Sequence, residues 1–192
     1  MENGSVTIAT KPRSAPSGVS GNNACRQEAL LVHDDLQAFV HHEARLIDDW
    51  HLDEWLKLFA PDGVYWLPIE EDSDPTRVAS IAYDDIHGLA IRVEQLMRQN
   101  RISQQPRSEI LHFITNFTVD EAAQASAVLS YNLLITELRS GDWRQKGLGD
   151  VRTHPGRVRM ELIRMGEDWK IREKRLVLLA RQQPVEGLSY IL

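Results

Sequence analysis

The strongest constraint on the fold is a hydrophobic period of two that runs through most of the second half of the sequence. Apolar and polar residues alternate over residues 109–119, 125–138, 151–165 and 169–180. This alternation places successive side chains on opposite faces of a β-strand, so that each strand offers one face to a core. The connectors between the four segments are short, which predicts antiparallel neighbours, because a parallel crossover needs a longer connection.

The first half of the sequence has a helical period instead. At about 100° per residue, segment 26–50 has an apolar face, which predicts an amphipathic helix. The residues of this face are Val32, Leu36, Phe39, Val40, Ile47 and Trp50. A second, short helix with an apolar side is predicted over residues 53–59. The change of period between the two halves separates a helical part from a sheet.

Short polar signals delimit the elements of the first half. Asp53 is predicted to cap the second helix, and Pro61-Asp62-Gly63 is a turn signature that ends it. Asp84 and Asp85 supply a cap and a first-turn negative charge for a third helix that runs to about residue 100. The strands predicted between these helices cover residues 64–69 and 77–83.

This order of elements predicts an α+β fold, in which three helices pack on one face of a strongly curved antiparallel sheet. The arrangement is similar to the cone-shaped fold of nuclear transport factor two. Residues 1–25 are rich in Ser, Gly, Asn and Pro, and they are predicted to form a flexible polar arm. Residues 26–192 are predicted to form a single domain.

Charge and cysteine content exclude several classes of protein. The formal net charge is −6, so no basic surface for nucleic acid is expected. Cys25 is the only cysteine, which excludes an intramolecular disulfide and an iron–sulfur cluster held by this chain alone. No apolar run approaches the roughly 20 residues that span a bilayer, and the arm lacks the core of a signal peptide. The expected location is the cytoplasm, without membrane contact.

The histidines do not form a recognisable metal motif. His41-His42-Glu43 looks like a ligand cluster, but adjacent helical residues diverge by about 100° and cannot all face one ion. The spacing H-E-x-x-H of zinc peptidases is absent after the second histidine. Asp48 and His51 have part of the spacing of a facial iron triad, but Leu56 stands at the next ligand position. No metal or other cofactor is therefore expected on this chain.

Glu43 is the most informative residue of the first helix, because it lies in the middle of the apolar face. A carboxylate there must be paired, hydrogen-bonded or protonated, since an unpaired buried charge is very unfavourable. One interpretation is a structural carboxylate held by an Arg, a Tyr hydroxyl or a Trp N–H. The other interpretation is a general base inside the cone.

His112 and Asn116 extend the second interpretation. They are four residues apart on a predicted strand, and hence on the same face as Ile110 and Ile114. If this face is the concave one, both side chains lie near Glu43 in the mouth of the cone, where acid–base chemistry could take place. A satisfied polar network in a buried cleft would have the same composition.

A series of short motifs runs through most of the chain in a fixed order. It begins with Glu43-Ala44, Leu46-Ile47-Asp48, Glu54-Trp55-Leu56, Phe59, Asp62, Tyr65 and Pro68. It continues with Tyr83-Asp84-Asp85, Ser103-Gln104-Gln105-Pro106, His112, Asn116 and segment 166–178. These motifs span roughly residues 30–182, and together they resemble the beta subunits of aromatic-ring-hydroxylating dioxygenases. The polar arm and His51-Leu52-Asp53, where that family often has an Arg, depart from the pattern.

The resemblance implies a non-catalytic small subunit that is needed for the assembly and stability of an alpha subunit. It implies three alpha and three beta chains, with beta–beta contacts, and a Rieske [2Fe-2S] cluster and a mononuclear iron on the alpha partner. The implied reaction dihydroxylates an aromatic ring with oxygen and with electrons from NADH. The alternative is a stand-alone dehydratase, cyclase or isomerase of the same fold that uses Glu43, His112 and Asn116. A homodimeric binding module is a third interpretation.

Overall fold

The computed structural model describes residues 19–71, 74–99, 104–142, 144, 148–183 and 190–192. The chain divides into two compact units, Met1–Asp35 and Leu36–Leu192. Helix α1 (Val19–Asp48) begins in the first unit, and the second unit contains the other helices and the strands. Residues 1–18 of the predicted arm lie outside the described residues, whereas residues 19–25 are helical. The division into an arm and one domain stays a prediction.

Along the sequence, one further helix precedes the first two strands and the other follows them. Helix α2 spans Leu52–Leu56, and helix α3 spans Ile86–Met97. Asp85 caps α3, because its carboxylate accepts a hydrogen bond from the backbone N–H of Gly88 at 2.8 Å. The predicted start of the third helix is therefore confirmed.

The start of α2 differs from the prediction. His51, not Asp53, occupies the N-cap position, and it makes no side-chain capping hydrogen bond. Asp53 lies in the first turn and forms an ion pair with Arg98 at 3.0 Å. The prediction that Asp53 caps this helix is wrong, because the helix begins at Leu52 and Asp53 is already part of its first turn.

Six strands form one sheet. Their bounds are β1 (Phe59–Pro68), β2 (Ser80–Asp85), β3 (Glu109–Ala122), β4 (Ser126–Leu138), β5 (Val151–Met165) and β6 (Asp168–Leu178). Their order across the sheet is β2-β1-β6-β5-β4-β3. The four long strands predicted from the period of two are β3 to β6, and they pair antiparallel in sequence order as predicted.

One strand pair departs from the predicted antiparallel sheet. Strand β1 pairs antiparallel with β2 but parallel with β6, where Tyr65 lies opposite Lys174. The sheet is therefore mixed. The residue pattern of β1 does not encode this neighbour, because the partner strand lies at the far end of the sequence.

Pro61-Asp62-Gly63 belongs to a strand and does not end a helix, so the predicted turn is wrong. These residues lie inside β1, where the register with β6 shifts between Phe59 and Val64. Such an irregularity is a β-bulge, in which extra residues redirect the strand. A Cβ atom on Gly63 would lie 2.8 Å from the carbonyl oxygen of Ile171 and 2.9 Å from that of Ala60. The close approach of the two strands therefore requires a glycine.

The hydrophobic core lies between the helices and one face of the sheet, called the inner face below. Alternate residues of β4, from Ala127 to Glu137, are buried on this face. Of the apolar face predicted for the first helix, Leu36, Val40, Ile47 and Trp50 are buried. Val32 and Phe39, which belong to the same predicted face, are only partly buried. The apolar residues that the helical period and the period of two predict thus pack together in one core.

We expect Gly63→Ala to destabilise the protein by about 1–3 kcal/mol, because the new methyl group meets backbone oxygens that cannot turn away. Gly88→Ala is the matched control. Its nearest neighbours are side-chain atoms of Asp84, the closest at 3.1 Å, and these can move, so a smaller loss is expected. Urea denaturation of the two variants measures the difference, and equal losses would contradict this account of the bulge.

Candidate functional site

Glu43, the carboxylate singled out on α1, forms a buried ion pair. Its Oε1 atom accepts a hydrogen bond from Nζ of Lys174 on β6 at 2.8 Å, and another from Nε1 of Trp55 on α2 at 2.7 Å. Glu43 is 1% exposed and Lys174 is 0% exposed. The carboxylate is thus held by one of the three predicted donors, a Trp N–H, and by a lysine that the sequence analysis did not propose.

Lys174 reaches the inner face because the parity of β6 changes along the strand. Leu176 and Leu178 follow it at intervals of two and are buried, so the three side chains share one face. Ile171 is also buried, although it has the opposite parity, because the register with β5 shifts between these residues. An alternation that starts at Ile171 places Lys174 on the outer face. An alternation that is followed back from Leu178 and Leu176 places it correctly on the inner face.

Two tyrosines complete the surroundings of the ion pair. The ring centroid of Tyr65 lies 6.0 Å from Nζ of Lys174. Burial, and then the charge of Glu43, raise the pKa of Tyr131 well above its ordinary value. Burial also raises the pKa of Tyr65. Both phenols therefore stay neutral beside the charged pair.

Two cavities lie near the end of α1, and Glu43 lines neither of them. The first, of about 690 Å³, has Asp48, Trp50 and Ile110 in its wall. The second, of about 260 Å³, lies beside Asp48 and His112. Because the Glu43 side chain is buried and its carboxylate accepts two hydrogen bonds, it is suited to holding α1 and α2 on the sheet.

His112 has its own carboxylate partner. Its Nδ1 atom lies 2.6 Å from Oδ1 of Asp48, and its backbone N–H donates to Oδ2 of the same residue at 3.2 Å. The imidazole side chain is 1% exposed, and its Nε2 atom is buried without a hydrogen-bond partner. Asp48 thus joins the end of α1 to β3 through the buried side chain of His112.

Asn116 does not share the position of His112. It has a φ of 53°, in the left-handed region, where the register between β3 and β4 shifts between Thr115 and Thr118. The residue is exposed. The bulge breaks the alternation on which the predicted common face depended, so the structure does not bring Glu43, His112 and Asn116 into one cluster.

A polar group that sequence analysis missed links the end of α1 to the sheet. The hydroxyl of Ser108 donates to Oε1 of buried Glu137 at 2.6 Å, and Arg152 pairs with the other oxygen at 3.2 Å. The backbone carbonyl of Ser108 accepts from Nε1 of Trp50 at 3.0 Å. The signal that could have found it is Glu137, a carboxylate at an inward position of an otherwise apolar strand face.

The histidines considered as metal ligands point in different directions. His41 and His42 are exposed on α1, whereas Glu43 is buried. Asp48 is engaged by His112, and His51 is exposed at the start of α2. In the part of the chain that the structure describes, no group of three or more His, Cys, Asp or Glu side chains is placed to hold a metal ion.

Comparison with known proteins gives a family match over most of the chain. Residues 42–183 match the family of ring-hydroxylating beta subunits. The small oxygenase component of the p-cumate 2,3-dioxygenase system of Pseudomonas putida is 32% identical over 171 residues, covering 85% of this chain and 89% of the relative. The solved beta subunit of benzoate 1,2-dioxygenase from Burkholderia mallei is 25% identical. It has a TM-score of 0.64 and covers 82% of this chain and 96% of that chain.

A more distant likeness concerns the fold alone. An NTF2-like protein from Novosphingobium aromaticivorans has a TM-score of 0.60 at 14% identity, covering 90% of this chain and 96% of that chain. Together with the observed helices and sheet, this likeness confirms the predicted α+β fold of the nuclear transport factor two type.

The fold and its buried ion pair define a small α+β protein in which helices are joined to one face of a single sheet. The chain belongs to the family of ring-hydroxylating beta subunits, and the resemblance inferred from its motifs is confirmed. It is therefore a component of a dioxygenase system. Among the described helices, none is long and apolar enough to cross a membrane.

We expect Glu43→Leu and Lys174→Met each to destabilise the protein by about 3–5 kcal/mol, because each leaves an unpaired buried charge. The double variant removes both charges and strands only the Trp55 N–H, so its loss should be about 1–3 kcal/mol. Urea denaturation of the four proteins gives the coupling energy. Losses that simply add in the double variant would show that the two side chains do not stabilise each other.

Proposed function

We propose that the chain is a non-catalytic, structural subunit of a multicomponent Rieske non-heme iron oxygenase that dihydroxylates an aromatic ring. Its role is to assemble with the large subunit and to stabilise it. The observation that carries the proposal is the family match over residues 42–183, which includes both Glu43 and Lys174. A carboxylate committed to joining helix and sheet supports a scaffold better than it supports a catalyst.

The proposed partner is the large oxygenase subunit, in an assembly of three large and three small chains with further contacts between the small ones. The relatives named as a small component and as a beta subunit support such a partner. Obligate interfaces of this kind often bury more than about 2,000 Å². The sheet and the helices packed on it give the small subunit a rigid surface to which the large subunit can bind.

The redox groups are proposed to lie on the large subunit. A Rieske cluster needs two Cys and two His ligands, and this chain has a single cysteine, Cys25. The cluster therefore needs ligands from another chain. The mononuclear iron is proposed to lie there too, because the described His, Cys, Asp and Glu side chains form no group that could hold a metal ion. The small subunit then contributes to the reaction only by keeping that chain folded and assembled.

The substrate class is proposed to be an aromatic carboxylate. The two relatives compared above are named for p-cumate and benzoate, and both compounds are aromatic rings that carry one carboxylate. The substrate pocket belongs to the large subunit, so no residue of this chain is assigned to it. We place the complex in the cytoplasm, where NADH supplies the electrons.

Co-expression with the large subunit tests the assembly. We expect the isolated chain to be colourless and free of stoichiometric iron, and the co-expressed chain to elute in a complex several times heavier. Size-exclusion chromatography with iron analysis of each peak measures both properties. Stoichiometric iron in the isolated chain, or no association with the large subunit encoded beside it, would refute the proposal.

The turnover of an assembled complex that carries Glu43→Gln separates a scaffold from a catalyst. The amide can still accept the Trp55 hydrogen bond, but it leaves the charge of Lys174 uncompensated, so stability should fall while turnover per intact complex stays near wild type. Glu54→Gln, on an exposed glutamate of α2, is the matched control. A loss of about 10²–10⁴ in turnover with normal assembly would instead identify Glu43 as a general base.

A further inference from the structure

The segment Tyr190–Leu192 lies inside the core, although it belongs to no helix or strand. Tyr190 is 4% exposed, Ile191 2% and Leu192 1%. Core residues of this protein otherwise lie mostly on helices or strands, whose backbone groups are paired within the element. This segment enters the interior as a separate piece of chain, so its backbone needs partners there.

One side chain, Tyr65, supplies those partners. Its hydroxyl donates to the backbone carbonyl of Leu192 at 2.8 Å and accepts from the backbone N–H of the same residue at 3.2 Å. Tyr65 stands on the inner face, opposite the lysine of the buried ion pair. The backbone of Leu192 is thus held by two hydrogen bonds to one side chain, as the backbone of a bound peptide is held by a receptor.

The walls around the segment come from both layers of the fold. Ile47, Trp50, Leu52 and Ile110 surround it on one side, and the space left there is too small for a water molecule. On the other side it meets β1 and β2, next to Arg92, where about 70 Å³ remains. The three residues therefore fill almost all of a chamber formed by the helices and the sheet.

The ring of Tyr190 occupies the polar end of this chamber. It lies 6.3 Å from the imidazole of His154, between ring centroids. Burial, and then the carboxylate of Glu137, raise the pKa of the Tyr190 hydroxyl. That hydroxyl makes no hydrogen bond of normal geometry, and Nε2 of His154 is also buried without a partner. The ring of Tyr190 therefore lies against buried polar atoms, some of which have no hydrogen-bond partner.

We propose that this chamber is a ligand-binding site whose occupant is the chain's own segment Tyr190–Leu192, and that a neutral phenol takes the ring position when the Tyr190 side chain is removed. The inference goes beyond the scaffold role and does not depend on it. The site accounts for the closed interior of the subunit, because a segment of the same chain fills the space that a substrate would need.

The chemistry of the walls selects the class of ligand. A flat ring fits between apolar side chains, and one hydroxyl can use the polar groups of Glu137 and His154. A carboxylate in the same place would lose its hydration and would compete with Glu137 for Arg152, which already pairs with Glu137 at 3.2 Å, and both effects are unfavourable. An aromatic acid should therefore be excluded, whereas a phenol or an uncharged arene should enter.

Chemical rescue of Tyr190→Gly in the full chain tests the proposal. The variant lacks the whole tyrosine side chain, and p-cresol has the same atoms, with its methyl carbon in the place of Cβ. We expect p-cresol to raise the melting temperature by about 5–10 °C at about one hundred times its dissociation constant. Toluene should act in the same direction, and 4-methylbenzoate should have no effect.

The matched control is Tyr83→Gly, which removes a half-exposed tyrosine side chain outside the chamber. Its melting temperature, and that of the wild-type chain, should not respond to p-cresol. A Tyr190→Gly variant that is folded but indifferent to p-cresol would overturn the proposal, and so would an equal response of the wild type. If the variant is unfolded without ligand, the titration is followed as recovery of the native near-UV circular dichroism, and no recovery overturns the proposal as well.

Discussion

The fold depends on one interaction, the ion pair between Glu43 of α1 and Lys174 of β6. Taking both charges out of water is costly, and only good geometry with further hydrogen bonds offsets that cost. The Trp55 N–H supplies such a bond, so the pair joins two helices and one strand at a single carboxylate oxygen. A different register of α1 on the sheet would leave both charges buried and unpaired. The pair therefore favours one packing arrangement over its neighbours.

The other buried polar groups follow the same logic. Asp48 holds the imidazole of His112, and Glu137 accepts from Ser108 while it pairs with Arg152. The first two contacts join the end of α1, or the segment before β3, to the sheet, and the third joins two neighbouring strands. Carboxylates that could have served acid–base chemistry are committed to structure. This commitment agrees with a family whose members are small subunits of oxygenases.

The segment Tyr190–Leu192 is the second feature that fills the space between the helices and the sheet. Tyr65 holds it with the same inner face that carries Lys174, so the ion pair and the buried segment share one wall. A scaffold gains from both, because each adds contacts between layers that belong to distant parts of the sequence. The proposed site is thus a property of the finished fold rather than of any local motif.

The sequence by itself determined the first and third helices and the four long strands, because helix and strand periods are local properties of consecutive residues. It also determined that Glu43 faces the core and that a Trp N–H was a suitable partner, and its ordered motifs identified the family. Only the tertiary structure decided that β1 lies parallel to β6, that Lys174 is the counter-ion and that Asn116 turns away from His112. The physical reason is that strand pairing and β-bulges depend on contacts between distant segments. A single bulge reverses the parity by which a sequence assigns side chains to a face.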